Sequence, residues 1–261
     1  MKQTKTNRNK LFVLFLCLFS FCGSMLAQAD THIQVGDIFY ADGSISKPDV
    51  GSINAKQMES ATNRPIGVVY FVEDYTNGAV TRQRGWVTAL KDACDMSHWG
   101  DMDTDQKGIP NYSSRRGPVG DGNEALTDTA GYAHTRYMNS NHTLSRSNYP
   151  GFYHALSYKD GSTAVGAGLW YLPSAGQLCK LFAVKDVVTA SFDVINSSNY
   201  GYTTANKMIG NYYWSSSEFS AFFAWDVRWD VRVGGKLDTA TNKGFNGYVR
   251  SSCSFLTTSH R

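Results

Sequence analysis

The sequence predicts an α+β fold, and three stretches carry that prediction. Ile66-Gly67-Val68-Val69-Tyr70-Phe71-Val72 is a continuous apolar run of the length expected for a strand covered on both faces. Trp225, Val227, Trp229, Val231 and Val233 alternate with Asp226, Arg228, Asp230 and Arg232, and a period of two belongs to a strand with one buried face. Between them, Ser174 with Gln177 three residues on forms a capping box ahead of Leu178, Leu181 and Phe182, the stripe of an amphipathic helix. Gly, Tyr and Phe number 24, 15 and 14, a bias toward twisted strands and long loops over helical bundles.

Taken in order, residues 1–29 read as a secretory signal. Lys2, Lys5, Arg8 and Lys10 form a basic segment, Leu11 to Phe21 an apolar one, and Ala27-Gln28-Ala29 a cleavage site. The apolar run is shorter than the roughly 20 residues that span a bilayer, and Cys22 leaves a lipid anchor open. Residues 30–261 are expected to form a single domain that is exported to the cell surface, the medium or the periplasm. Cys94, Cys179 and Cys253 remain in it, an odd number that permits at most one internal bridge beside a free thiol; buried, inert cysteine is expected for each, with a Cys94–Cys253 bridge as the alternative. The net charge of +3 is small and has no basic stripe, which argues against a nucleic-acid partner.

Ile38-Phe39-Tyr40 reads as a strand turning at Asp42-Gly43, and the run from Ile66 to Val72 as its partner, followed by a polar turn from Asp74 to Gly78. Trp86, Leu90 and Cys94 have the spacing of one helical face over residues 86–96. Residues 97–150 show no periodic element longer than a turn or two, the mark of an elaborated loop. Inside it, Asp101, Asp103 and Asp105 alternate as in a calcium loop. Gln106 stands where the sharp-turn glycine belongs and no Glu closes the frame, so no metal is expected. Pro150–Tyr158 and Val187–Ile195 read as helices. His98, His134, His142 and His154 lack metal-ligand spacing, and Ser215 to Ser217 lack a nucleophile elbow, so neither group predicts catalysis.

Several motifs together carry a resemblance. Trp170-Tyr171-Leu172-Pro173-Ser174 with Gln177-Leu178, then Tyr213 to Glu218, Ala224-Trp225, Lys236, and Tyr248-Val249-Arg250 with Phe255 resemble the order found in bacterial C-type-lectin-like domains of the collagen-like-adhesin C-terminal type. The resemblance implies a mixed sheet with two flanking helices, N- and C-terminal strands paired at the base, and a long loop region presenting a ligand site. The chain lacks the Glu-Pro-Asn, Gln-Pro-Asp and Trp-Asn-Asp tripeptides of calcium-dependent sugar sites. The same region is similar to the variable proteins of diversity-generating retroelements, with Trp214, Ser215, Ser216, Ala224, Trp225, Val249 and Arg250 as fixed frame.

Phenylalanines, paired charges and loop backbone gathered near the C-terminus are what a binding surface needs. The expected ligand residues are Phe219, Ser220, Phe222, Phe223, Asp226, Arg228, Asp230, Arg232, Leu237, Asp238, Thr239, Thr241 and Phe245. The function expected is a non-enzymatic, adhesin-like module for a protein or glycan ligand, without cofactor. The alternatives are a structural fimbrial subunit, bound to other fimbrial subunits, and an enzyme resembling the formylglycine-generating oxidases. The last requires a copper-binding cysteine pair, whereas Cys253 stands alone in its region.

Overall fold

The computed structural model describes residues 32–59, 63–78, 80–113, 124–159, 170–198, 203–209, 212–228 and 240–257. The proposed leader lies outside these residues. The fold is α+β, with two five-stranded sheets and six helices among the described residues.

β1 (Ile38–Tyr40) turns through Gly43, whose φ of 86° suits glycine, into β2 (Ile45–Ser46). After α1 (Val50–Glu59), β3 (Pro65–Asn77) runs antiparallel to β1, as the paired apolar runs suggest. β3 continues past the expected turn at Asp74, and the chain reverses at Gly78 into β4 (Val80–Ala89). The helix expected over residues 86–96 is therefore a strand as far as Ala89. Val87 and Thr88 pair with Val69 and Val68 on one side and with Cys253 and Ser252 on the other. Two ladders of long-range hydrogen bonds outweigh a local helical spacing. β5 (Cys94–Ser97) then enters the second sheet.

The segment 97–150 is less open than its sequence implies. α2 (Glu124–Thr127) and α3 (Gly131–Asn141) lie within it, ahead of α4 (Pro150–Leu156), which begins with Pro in its first turn. α5 (Ala175–Ala183) starts at the capping box, where the Ser174 amide donates to Gln177 Oε1 at 3.0 Å. α6 (Lys185–Ser197) follows. The chain then builds β6 (Tyr213–Glu218), β7 (Phe223–Val227), β8 (Ala240–Asn242), β9 (Gly247–Val249) and β10 (Ser252–Leu256).

The first sheet has the order β10-β4-β3-β1-β2 and the second β5-β9-β6-β7-β8. The strands near the two ends of the chain, β1 and β10, share a sheet but are not neighbours, since β3 and β4 stand between them. This corrects the direct pairing that the resemblance implied. One core joins the sheets: Ile38, Val68 and Tyr70 meet Leu178 and Leu181 of α5, Phe192 of α6, and Tyr213, Trp225 and Val227. A second core gathers Trp99, Met138, Phe152, Trp214 and Val249, which fixes α3 and α4 on the second sheet. Cys94, Cys179 and Cys253 form no disulfide, so the alternative of a Cys94–Cys253 bridge is not realised.

Candidate ligand-binding face

β6 is the beam of the second sheet, buried along its whole length. Its three serines each satisfy a different element. Ser215 Oγ donates to the Trp225 carbonyl at 2.7 Å, Ser216 Oγ meets His134 Nδ1 at 3.0 Å, and Ser217 Oγ donates to the Asp128 carboxylate while accepting the Ala175 amide. His134 stands 3.8 Å from Asp128. Asp128, His134, Ser216 and Ser217 are all buried, and both hydroxyls are engaged, Ser216 with His134 and Ser217 with Asp128. Burial holds the His134 imidazole below its ordinary pKa, against the pull of Asp128.

Beyond Glu218 the chain folds back through a tight turn, with the Phe223 amide donating to the Ser220 carbonyl at 3.2 Å. β7 then lies between β6 and β8, with Trp214 opposite Asp226 and Ala224 opposite Thr241. A second turn carries Phe245, whose amide donates to the Asn242 carbonyl at 2.9 Å. Gly247 follows, where a Cβ atom would come within 2.8 Å of Trp214 Nε1. Glycine is needed there because the indole packs against bare backbone, its Nε1 donating to the Ser97 carbonyl at 2.8 Å.

These pieces enclose a groove of about 700 Å³ lined by Tyr212, Trp214, Phe223, Arg228, Ala240, Thr241, Asn242, Phe245 and Asn246. The Arg228 guanidinium sits 4.4 Å from the centre of the Tyr212 ring, an arrangement that keeps the cation at the groove wall. Aromatic walls, one guanidinium, a hydroxyl and two amide side chains can hold a planar or ring-shaped ligand by stacking and charge-assisted hydrogen bonds.

Of the residues expected from sequence, Phe223, Arg228, Thr241 and Phe245 come together on this groove. Phe222 stands on the turn next to it, 49% exposed, and Phe245 is 64% exposed, so both rings are open to a partner. Ser220 is half-buried in the turn. Phe219 packs toward the main core instead, edge-on to Trp225 at 5.5 Å. Asp226 is a correction: it is fully buried rather than on an outer face. The period of two separates the two sides of β7 but does not say what covers them, and the side that carries Asp226 is closed off from solvent as well. Asp230, Arg232, Leu237, Asp238 and Thr239 lie outside the described residues.

Sequence reasoning missed Tyr212, Asn242 and Asn246, and it passed over Lys243. Lys243 is buried between Trp99, the Thr104 carbonyl at 2.9 Å and the Glu218 carboxylate. The Gln106 amide donates to the other oxygen of Glu218 at 3.0 Å, and its side chain reaches Tyr149 and His142. Gln106, the residue that broke the calcium-loop pattern, is thus a buried staple of the 99–112 segment.

No family model matches the chain, and no curated protein matches it. Its fold is similar to that of a fimbrial protein from Bacteroides ovatus known from a crystal structure, with a TM-score of 0.57 and 18% identity over 86% of this chain. The match covers 49% of that protein, so the chain spans about half of its length.

Proposed function

We propose that this chain is a non-enzymatic subunit of a fimbria-like assembly at the cell surface, exported by the leader at residues 1–29. The observation that carries the reading is the likeness of fold to a fimbrial protein along 86% of the chain. Among the described residues no helix is long and apolar enough to cross a membrane, which fits an exported role held by assembly contacts. Immunogold labelling of filaments sheared from cells that make the protein is the test. Labelled filaments are expected, and recovery of the chain solely as free monomer in the medium would remove the assembly reading.

A second reading, carried by the groove, is that the subunit also grips a protein or glycan ligand in the manner of a C-type-lectin-like domain. Phe222 and Phe245 are large apolar rings left open beside a cation, and exposed aromatic clusters mark partner sites. A printed glycan array probed with the wild type and with Arg228→Ser tests it, equal signals for the two being the adverse result. The same reading takes Phe223, Arg228, Thr241 and Phe245 as positions diversified by a retroelement on a frame of Trp214, Ala224, Trp225, Val249 and Arg250. That frame is buried throughout. A near-copy of the coding segment beside a reverse-transcriptase gene in the flanking DNA is the finding this idea requires.

A further inference from the structure

We propose that a second cavity, between the β4–β5 connection and the C-terminal end of α4, binds a saccharide bearing sulfate or carboxylate. The cavity holds about 540 Å³, within the usual range of small-ligand sites of roughly 300–1,000 Å³. It shares no lining residue with the groove at β7 and β8, so it stands independently of that reading.

The charge balance identifies the ligand class. Among the described residues, Arg64, Lys91, Arg146, His154 and Lys159 line the cavity, against one carboxylate, Asp92. Asp92 is already engaged, 2.7 Å from Arg250 Nε and accepting the Tyr213 hydroxyl at 3.3 Å. Arg64 Nε is buried and has no hydrogen-bond partner among the described residues. A buried guanidinium nitrogen of this kind is best satisfied by an oxyanion, which forms short charge-assisted bonds to it. The His154 imidazole is held below its usual pKa, first by burial and then by the charge of Arg146, consistent with cations crowded together.

The C-terminal end of α4 works against an anion, since its carbonyls carry roughly half a negative charge. Four permanent cations outweigh that. The remaining lining suits a sugar. Tyr153 and Tyr158 are held edge-on by His154 at 5.3 Å and Trp170 at 5.2 Å, and Ser157, Thr203 and Thr204 bring hydroxyls. Fixed aromatic faces stack on the C–H face of a pyranose, and hydroxyls exchange hydrogen bonds with its own.

Calorimetry on the intact chain separates the possibilities, using a sulfated heparin disaccharide, a hyaluronan tetrasaccharide carrying only carboxylates, neutral diacetylchitobiose and inorganic sulfate. At least one anionic saccharide is expected to bind more tightly than chitobiose and than sulfate, and added salt should weaken it. Which of the two binds tells sulfate from carboxylate. Arg64→Gln should weaken binding roughly tenfold, the worth of one charge-assisted hydrogen bond. Arg146→Ser with Lys159→Ser, both on exposed side chains that leave the core intact, should do the same. Binding of chitobiose or free sulfate as tight as that of the anionic saccharides would overturn the proposal. So would wild-type affinity in the exposed double variant, or no binding of any probe.

Discussion

Lys243 and Glu218 form an ion pair whose two side chains are both shut off from solvent. Burial pushes the Glu218 carboxyl up and the Lys243 ammonium down, and each draws the other back toward its charged form. The pair ties the end of β6 to the 242–246 turn and, through the Thr104 carbonyl and the Gln106 amide, to the segment before α2.

Removing one partner strands the other. Lys243→Met is expected to lower stability by about 3–5 kcal/mol, because Glu218 is left charged or must take up a proton in a closed site. Denaturant titration checks this. The double variant Lys243→Met with Glu218→Gln should recover part of the loss, since neighbouring substitutions of this kind do not add.

Gly247→Ala places a methyl 2.8 Å from Trp214 Nε1, on an indole that is fully buried and cannot retreat. Overpacking should cost about 1–3 kcal/mol. Thermal unfolding reads the loss, and the near-ultraviolet circular dichroism of the tryptophans should change with it.

His134 predicts a pH effect whose sign follows from its lowered pKa. The imidazole stays neutral in the folded chain while the unfolded chain takes up a proton below about pH 6.5. Its contribution is therefore intact above that value and is lost as the pH falls toward the folded pKa. The buried carboxyls of Asp92 and Glu218, both raised by burial, act in the opposite sense. The check is accordingly the difference between wild type and His134→Asn. Between about pH 7 and pH 5 the wild type should lose more stability than the variant.

Phe222→Ser and Phe245→Ser should shift stability by no more than about 0.5 kcal/mol, because both rings are largely solvent-facing. If the groove holds a partner, capture should fall sharply in both. A large loss of stability instead would assign these rings to folding.

The sequence made some of this legible and hid the rest for identifiable reasons. The capping box at Ser174 and Gln177 and the pairing of β1 with β3 rest on local chemistry and period, which survive folding unchanged. The segment from Trp86 to Ala89 misleads because its helical spacing competes with two partners, β3 and β10, that lie far away in sequence. α3 escapes notice because its buried residues include Gly131, His134 and Thr135, so polar contacts take the place of an apolar stripe. At the groove, Phe223, Arg228, Thr241 and Phe245 emerged from the density of aromatic and charged residues. Tyr212, Asn242 and Asn246 did not, since only the turn after β8 brings them together. Asp226 shows the limit of alternation: a period names two faces and is silent on what covers each.

The anchoring of Lys243 has a consequence for how the groove meets its visitor. With the neighbouring turn pinned through a closed-off ammonium, swinging Phe245 outward would pull that ammonium away from the Glu218 carboxylate and leave a buried charge without its counter-ion. The rim is therefore set before any encounter, and the entropy lost on docking falls mainly on the incoming molecule.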